Sequence, residues 1–466
     1  MARAGDDLTA DLPSRPRRVV SSPAVIGAVM AVAGCSVRWW IRRGNAPLVW
    51  NDSFDYVASA SSPLVSKDRW VGLRPMLMPD VLSLVRLHLR TFVTFQTVVA
   101  GVAWALLAMA VAAALPVGWR RWVGALGVLA VSLPWAITMW DQEVLTESLA
   151  LSCLALVAAA VVWAAQGLDR RRAAALVVAA SLALAVRDSH VVPIALGGAA
   201  LGAWAWWGRP TRRRLAALTA AYLVALAFLA AGTAQWSHRD RLPLEHVYAV
   251  RILPYPDRVR WFGEHGMPNA ADFETLPPVH DPGKAPYTSL TPLPVWTEWR
   301  HWLWKDGRTT LVRFALSHPS YLTDEARKQP ERVFNNGVGL ATYRPLALRE
   351  VPLVETIAYP SALIAFTAAL PALVFASWRR VLRSPCTVAG AVLLATAIPH
   401  AAVAWHSDGM ESARHLLIPS TQFRVGALLV FLGAFLARPA SAERIEPEPT
   451  SVGDPDEDLA ETVAAV

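Results

Sequence analysis

Several acidic side chains stand at the ends of long apolar stretches, where they could act on a substrate held at a membrane surface. Asp52 and Asp55 follow the first apolar stretch, and Glu147 lies at the start of a later one. A carboxylate can act as a general base on a hydroxyl group. Inserting a carboxylate into a membrane costs about 2.5–3.5 kcal/mol at the centre of a helix and less near a helix end. Glu147 therefore predicts a buried partner or a polar cavity.

Two of these positions also allow a purely structural interpretation. Asp52 lies in the segment NDS, whose residue types suit a turn or a helix N-cap. Glu143 and Glu147 are predicted one turn apart on one helix face. Both could simply favour a helix N-terminus through the helix dipole. We favour a functional role for Glu147 and helix capping for Glu143.

Ionisable groups gather in four segments that are predicted to lie at one membrane depth. No glycine loop for phosphate, His/Cys metal spacing or serine nucleophile elbow accompanies them. Isolated histidines such as His88, His246 and His400 are interpreted as structural or interfacial. Beyond the three acids above, the candidates in these segments are Tyr56, Asp141, Glu143, Arg187, Asp188, His190, His406, Asp408, Glu411, Arg414 and His415.

The composition predicts the elements that must position these groups. Of the 466 residues, 54% are hydrophobic and 17% are charged, against about 25% charged in a typical soluble protein. Continuous Ala, Leu and Val runs approach the roughly 20 residues of a membrane span, which predicts helices rather than barrel strands. We therefore predict an all-α, polytopic membrane protein. Its ten predicted spans are 20–40, 92–115, 123–140, 144–165, 173–187, 191–207, 215–234, 353–377, 386–405 and 416–437.

The net charge of +8 could suggest nucleic-acid binding, but its distribution indicates membrane topology instead. Counted alternately along the spans, every short basic cluster falls on one side. We predict that this side is cytoplasmic, that both termini lie there, and that the chain is a multi-pass protein of the cytoplasmic (inner) membrane. The clusters are Arg15, Arg17 and Arg18; Arg120 and Arg121; Arg170 to Arg172; Arg212 to Arg214; and Arg379, Arg380 and Arg383.

This topology divides the chain into five parts. The outer segment is rich in Pro and Trp; the run from Thr275 to Trp296 predicts extended or turn-like structure, and a later part predicts helix broken at Pro319. The last part is acidic and poor in large apolar residues, which predicts disorder. The parts are a cytoplasmic tail (1–19), a transmembrane module (20–234) with a first outer loop (41–91), an outer segment of mixed or irregular structure (235–352), C-terminal spans (353–437) and a cytoplasmic tail (438–466).

Four short motifs occur in a characteristic order along this topology. They are Asp52 and Tyr56 in NDSFDY, Thr146 and Glu147 in LTESLALSCL, Arg187 in VRDSHVVP, and Arg414 and Pro419 in ARHLLIPSTQF. With the long outer segment, this order resembles the bacterial GT-C class of glycosyltransferases, membrane enzymes that use a sugar carried on a polyprenyl phosphate. Many members have two adjacent acids in the first loop. Here Ser53 follows Asp52, which leaves Asp52 or Asp55 as the base and leaves a divalent cation possible.

The resemblance implies inverting transfer from a polyprenyl-phosphate donor to a glycan, lipid or protein of the cell envelope. One carboxylate, Asp52 or Asp55, would act as the base, with its pKa raised by partial desolvation, and Glu147 would support the site. Arg414 would bind the donor phosphate, with Arg187 and His415 as further candidates. Tyr56, Asp141 and Glu143 complete the predicted substrate-binding set. Outer-segment tryptophans would either stack on sugars or anchor the segment in lipid: Trp236, Trp261, Trp296, Trp299, Trp302 and Trp304.

Two other functions fit the same residues. A transporter or flippase for an anionic lipid or envelope polymer would use the outer acids and arginines as a substrate path. It predicts ionisable groups deep in several spans, which are few in this sequence. The chain could also be a non-catalytic subunit of an envelope-assembly complex.

Overall fold

The computed structural model describes residues 22–64, 66–72, 74–207, 210–274, 294–328, 334, 340, 343–344, 348–406 and 412–438. These residues form helices and no β-strand, which confirms the all-α prediction for this part of the chain. The predicted N-terminal tail, residues 439–466 of the acidic tail, Asp408 and Glu411 lie outside the described residues.

Within the described ranges most helices follow one another with short connections, and three of the segments there are single turns of other helix types. These three are Met139–Gln142 and Asp188–His190 (3-10) and Leu303–Gly307 (π). The α-helices are α1 (Pro23–Arg42), α2 (Asn51–Ser61), α3 (Lys67–Trp70), α4 (Leu77–Leu84), α5 (Leu89–Ala114), α6 (Trp119–Ser132), α7 (Trp135–Thr138), α8 (Glu147–Ala165), α9 (Arg170–Val186), α10 (Val191–Trp207), α11 (Pro210–Trp236), α12 (Arg241–Arg251), α13 (Pro256–Glu264), α14 (Ala270–Glu274), α15 (Pro294–Trp302), α16 (Arg308–Ser317), α17 (Pro319–Lys328), α18 (Pro352–Ala358), α19 (Ala362–Trp378), α20 (Pro385–His406), α21 (Ser412–His415) and α22 (Leu417–Leu436).

Six helical stretches of the described chain are long and apolar enough to cross a membrane. A seventh arises if α6 and the stretch Trp135–Gln142 form one span, which is bent by 65°. Pro134 lies at this bend, and proline both lacks an N–H donor and disfavours helical geometry in the residue before it. Eight of the ten predicted spans coincide with a single helix, whereas 123–140 is broken after Ser132 and 353–377 is broken between α18 and α19. Helices α9, α10 and α19 have only 17 residues each. The number of ten spans therefore stays a prediction.

Small residues bring the bundle helices into close contact. A Cβ at Gly101 of α5 would lie 2.3 Å from the Cys35 sulfur of α1, and one at Gly390 of α20 would lie 2.6 Å from the Gly426 carbonyl oxygen of α22. Such positions exclude any larger side chain and are typical of helix packing in membranes.

The basic clusters among the described residues share one end of the bundle. Arg379 Nη1 donates to the Ala434 carbonyl at the end of α22 at 2.7 Å. A Cβ at Gly167, after α8, would lie 2.8 Å from the Arg212 guanidinium at the start of α11. The N-terminus of α8 and the C-terminus of α9 point to the opposite end. We call these the basic end and the site end.

The helices between residues 241 and 328 share an aromatic core, in which Tyr248, Phe262 and Trp299 pack edge to face. The described residues between 241 and 328 are therefore mainly helical rather than irregular, whereas residues 348–351 are not helical. Helix α15 already begins at Pro294, because proline suits the first helical turn, so the predicted extended run ends before Trp296. Residues 275–293 of that run lie outside the described part. Helices α16 and α17 flank His318, as the break at Pro319 predicted.

This core includes two of the tryptophans that were predicted to stack on sugars or to anchor the segment in lipid. Trp296 and Trp299 are only 4% and 1% exposed, so they pack inside the segment rather than against sugar or lipid. Trp304 is 42% exposed, and its indole N–H donates to Glu245 at 3.1 Å.

Candidate active site

The first loop forms helix α2, and Ser53 rather than Asp52 closes its N-terminus. The Trp50 backbone N–H donates to Ser53 Oγ at 2.9 Å, and Ser53 Oγ donates to the Val144 carbonyl at 2.8 Å. The stretch NDS thus does begin a helix, as the capping alternative predicted, but the capping side chain is Ser53 and not Asp52. Asp52 and Asp55 lie three residues apart, which places them on one face of the helix.

Arg74 joins the two acids of the first loop. Its Nη2 donates to Asp52 Oδ1 at 2.6 Å and to Asp55 Oδ2 at 2.7 Å. The guanidinium carbon also lies 5.2 Å from the centre of the Tyr56 ring, and that ring is buried. The sequence analysis missed Arg74. It is one of seven basic residues between positions 41 and 91, so its type and position gave no signal that could have identified it.

Glu147 is the first residue of α8, and Glu143 precedes the helix in extended conformation. The Leu48 N–H donates to the Gln142 carbonyl and the Val144 N–H donates to the Leu48 carbonyl, each at 2.9 Å. This pairing holds the segment straight before the helix begins. The prediction that Glu143 and Glu147 share a helix face is therefore wrong.

A buried network of charged groups joins α2, α8, the end of α9 and α21. Arg414 Nε donates to Glu147 Oε1 at 2.6 Å, and its Nη1 donates to Asp52 Oδ2 at 2.8 Å. Arg187 Nη1 donates to the same Glu147 oxygen at 2.6 Å. Its Nη2 lies 2.8 Å from His415 Nδ1. Five of the predicted site residues, from four separate segments, are thus in direct contact.

The network balances its charge, with the carboxylates of Asp52, Asp55 and Glu147 against the guanidinium groups of Arg74, Arg187 and Arg414. Glu147 is completely buried, so this pairing is required for its charge to be tolerated. Such charge-assisted bonds are stronger than neutral hydrogen bonds.

The environment of Asp52 does not match the expected rise in pKa. Burial acts to raise the pKa of its carboxyl group, but the guanidinium groups of Arg414 and Arg74 outweigh burial and hold the pKa below its ordinary value. The prediction of a raised pKa is therefore wrong while both arginines contact Asp52. In this state Asp52 is ionised at neutral pH and is a weak base.

Glu143 lies beside the network and is bonded elsewhere. The Trp50 indole N–H donates to its carboxylate, and Gln96 Nε2 donates to its backbone carbonyl at 2.9 Å. Burial raises the pKa of Glu143 to about 8, although the Trp50 hydrogen bond opposes the rise. Glu143 is therefore largely protonated at neutral pH.

This raised pKa predicts a stability that falls with increasing pH. Between the ordinary carboxyl pKa near 4.5 and the folded value of about 8, the folded state binds the proton more tightly than the unfolded state. Glu143 therefore disfavours folding progressively as pH rises through this range, whereas Glu143→Gln carries no such penalty. We expect the melting temperature of Glu143→Gln minus that of the wild type to increase from pH 5 to pH 9. Parallel melting curves across this range would contradict the assignment.

Asp141 does not join the network. Arg38 Nη1 donates to Asp141 Oδ2 at 2.6 Å, and both side chains are at most 2% exposed. Ser148 Oγ donates to the other carboxylate oxygen at 2.7 Å. Asp141 thus links α1 to the start of α8. These contacts are structural and differ from the predicted role in substrate binding.

The remaining candidates that the structure describes make contacts of their own. Arg239, also missed from the sequence, donates to Asp188 Oδ1 at 3.1 Å. Burial raises the pKa of Asp188, and Arg239 opposes that rise. The rings of His190 and His400 lie 5.9 Å apart, and His400 Nδ1 lies 2.9 Å from Gln422 Oε1. His406, at the end of α20, packs against Tyr321 at 5.2 Å instead.

Within the ranges that the structure describes, no three side chains of His, Cys, Asp or Glu come together as a metal site. The two acids of the first loop meet at a guanidinium group, that of Arg74. The described residues therefore offer no cluster of this kind for the divalent cation that the resemblance leaves possible.

Fold and site together define a helical membrane protein with a buried arginine–carboxylate network at one end. Comparison of the chain with protein-family models, curated proteins and solved structures gave no match. An interpretation of its function therefore depends on the residues of the site.

Proposed function

We propose that the protein is an inverting glycosyltransferase of the GT-C type. It would transfer a sugar from a polyprenyl-phosphate donor to a cell-envelope acceptor on the outer face of the cytoplasmic membrane, with ten spans and both termini inside. The supporting observation is that Arg414 donates two hydrogen bonds, one to Asp52 and one to Glu147. A candidate base and a candidate phosphate ligand thus lie within one hydrogen bond of each other.

The proposed reaction needs one base and one cationic site. The acceptor hydroxyl oxygen attacks the anomeric carbon as Asp52 takes the hydroxyl proton. The bond from that carbon to the phosphate oxygen breaks on the opposite side, and polyprenyl phosphate leaves with the electron pair. Phosphate is a good leaving group, so no general acid is required, unlike in a glycosidase. Arg414 and Arg187 stabilise the charge on the departing phosphate.

Binding of the donor would prepare the base. The phosphate oxygens would compete with Asp52 for the guanidinium group of Arg414. Loss of that contact removes a cause of the lowered pKa, so the Asp52 carboxylate becomes a stronger base when the donor is present. Glu147 holds Arg414 and Arg187 through one oxygen and keeps both in place during the exchange.

Asp52 is a better candidate for the base than Asp55. The Asp55 side chain is 50% exposed and bonds to Arg74, whereas Asp52 is 29% exposed and also contacts Arg414. Asp55 thus lies at the rim of the network.

The test is transfer of labelled sugar from a polyprenyl-phosphate donor in membranes that contain equal amounts of each variant. We expect Asp52→Asn to lower turnover by at least about 100-fold, the usual effect of losing a general base. Asp55→Asn is the matched control and should keep turnover within a few fold of the wild type. Wild-type turnover in both variants would show that the first loop is not catalytic.

Lipid translocation without glycosyl transfer is the second candidate. The observation that favours it is a cavity between α8, α10, α11 and α20, which extends between the basic end and His190. Movement of a labelled anionic lipid across liposomes containing the protein, with no sugar transferred, would support this function over the first. Inactivity in both assays would favour a non-catalytic envelope subunit.

A further inference from the structure

The cavity between the bundle helices has a volume of about 730 Å³, within the ~300–1,000 Å³ range of small-molecule sites. Its walls are mainly Leu, Val, Ala and Gly, and it follows α8 from Leu154 to Ala165. That distance is roughly 16 Å at the rise of an α-helix, about half the thickness of a bilayer core. The cavity therefore has the length and the apolar lining that suit a lipid chain.

The two ends of the cavity differ in chemistry. At the site end it is lined by the neutral polar side chains of His190, Thr396 and Gln422. Gln422 there bonds to Thr396 Oγ1 at 2.8 Å. At the basic end it is lined by Arg212 and Arg383. An anionic lipid headgroup could thus pair with the two arginines at the basic end.

Unlike two of their basic neighbours, Arg212 and Arg383 have no hydrogen-bonded or ion-paired partner among the described residues. Arg172 is bonded to Gly167 and paired with Asp169, and Arg379 is bonded to the end of α22. Arg212 and Arg383 are exposed and form no hydrogen bond or ion pair with any residue that the structure describes. Two guanidinium groups, one at the start of α11 and one in the turn before α20, are thus available at the mouth of an apolar cavity.

We propose that this cavity binds one anionic phospholipid, with its phosphate at Arg212 and Arg383 and an acyl chain between the helices. Basic pockets between membrane helices on the cytoplasmic side are typical sites for anionic headgroups. The arginines of the candidate active site are bonded to carboxylates and do not line this cavity. The proposed lipid is thus separate from the glycosyl donor and does not depend on the proposed enzymatic function.

Gly197 provides a way to block the chain without disturbing the protein. It lines the cavity on α10, and a Cβ added there would have no other atom within 4 Å. Gly232 on α11 also has open space around it but does not line the cavity. Gly197→Leu should therefore fill the cavity, and Gly232→Leu is its matched control. For the headgroup, Arg214→Gln is the control for a double Arg212→Gln, Arg383→Gln variant, because Arg214 belongs to the same cluster and does not line the cavity.

The experiment titrates the full chain in neutral detergent with dioleoylphosphatidylglycerol or dioleoylphosphatidylcholine and follows the melting temperature, which gives an apparent Kd. We expect tighter binding of the anionic lipid. The double arginine variant should weaken that binding roughly 10- to 30-fold and remove the preference. Gly197→Leu should weaken binding of both lipids, and the two controls should match the wild type.

Four results would overturn the proposal. Equal binding by all variants would indicate ordinary lipids around the protein, and equal binding of both lipids would remove the headgroup recognition. Loss of phosphatidylglycerol binding in Arg414→Ala, with the double arginine variant unaffected, would place the headgroup at the opposite end. A polyprenyl phosphate that binds more tightly through Arg212 and Arg383 would show that the occupant is a carrier lipid.

Discussion

Replacement of Glu147 by alanine is expected to destabilise the protein by about 3–5 kcal/mol, the usual cost of leaving buried charge without its partner. Glu147 is completely buried, and one of its oxygens accepts hydrogen bonds from both Arg187 and Arg414. The alanine variant leaves two cations in an apolar setting with less counter-charge. Denaturant titration in detergent micelles measures the free energy of unfolding.

Asp141→Ala is the matched control for this prediction. It also removes one carboxylate from a buried pair, that with Arg38, and should cost a similar free energy of unfolding. Only Glu147→Ala should also abolish sugar transfer by the molecules that remain folded, since Asp141 lies outside the network. A Glu147→Ala protein with wild-type stability would contradict the charge pairing. Equal loss of transfer in both variants would indicate that stability alone limits activity.

Substitution of Arg414 by lysine is expected to lower kcat/KM for sugar transfer by roughly 100- to 1,000-fold, even though the charge is kept. Arg414 uses Nε and Nη1 to reach two carboxylates on different helices. An ammonium group is a compact point charge on a flexible chain and cannot reproduce this planar fork. Initial rates at several donor concentrations would measure the effect.

Arg239→Lys is the control for the lysine substitution. Arg239 makes a comparable bond to Asp188 at 3.1 Å near the site but does not join the network. It should retain activity close to that of the wild type. An Arg414→Lys enzyme with wild-type kcat/KM would show that the two-carboxylate geometry is unimportant for transfer and would remove the main support for the proposed function.

The candidate residues could be selected from sequence because the cost of burying a charge is local. Glu147, Arg187 and Arg414 each lie at the edge of an apolar stretch. A charge at such a position requires a partner of opposite charge or a polar cavity, whatever the tertiary fold. The same argument selected Asp141, whose partner is Arg38 in the first span. Hydropathy therefore indicated that these charges must be paired, but not with which residues.

Elements that depend on distant contacts were predicted less well. The bend after α6 lies at Pro134, although the sequence analysis predicted an unbroken span over 123–140. The start of α8 depends on the pairing of Leu48 with Gln142 and Val144. That pairing moved Glu143 out of the helix. Arg74 has no apolar stretch beside it, so the hydropathy pattern did not indicate its contact with Asp52 and Asp55.

The sequence by itself determined that this chain is a helical membrane protein, which residues carry charge at the edges of its apolar stretches, and that basic clusters alternate with them. Each of these is a property of neighbouring residues and of their transfer into lipid. Only the tertiary structure decided that Asp52, Glu147 and Arg414 touch, that Asp141 does not join them, and that the Asp52 pKa is lowered. The reason is that electrostatic energy depends on distances of a few ångströms between groups far apart in the chain.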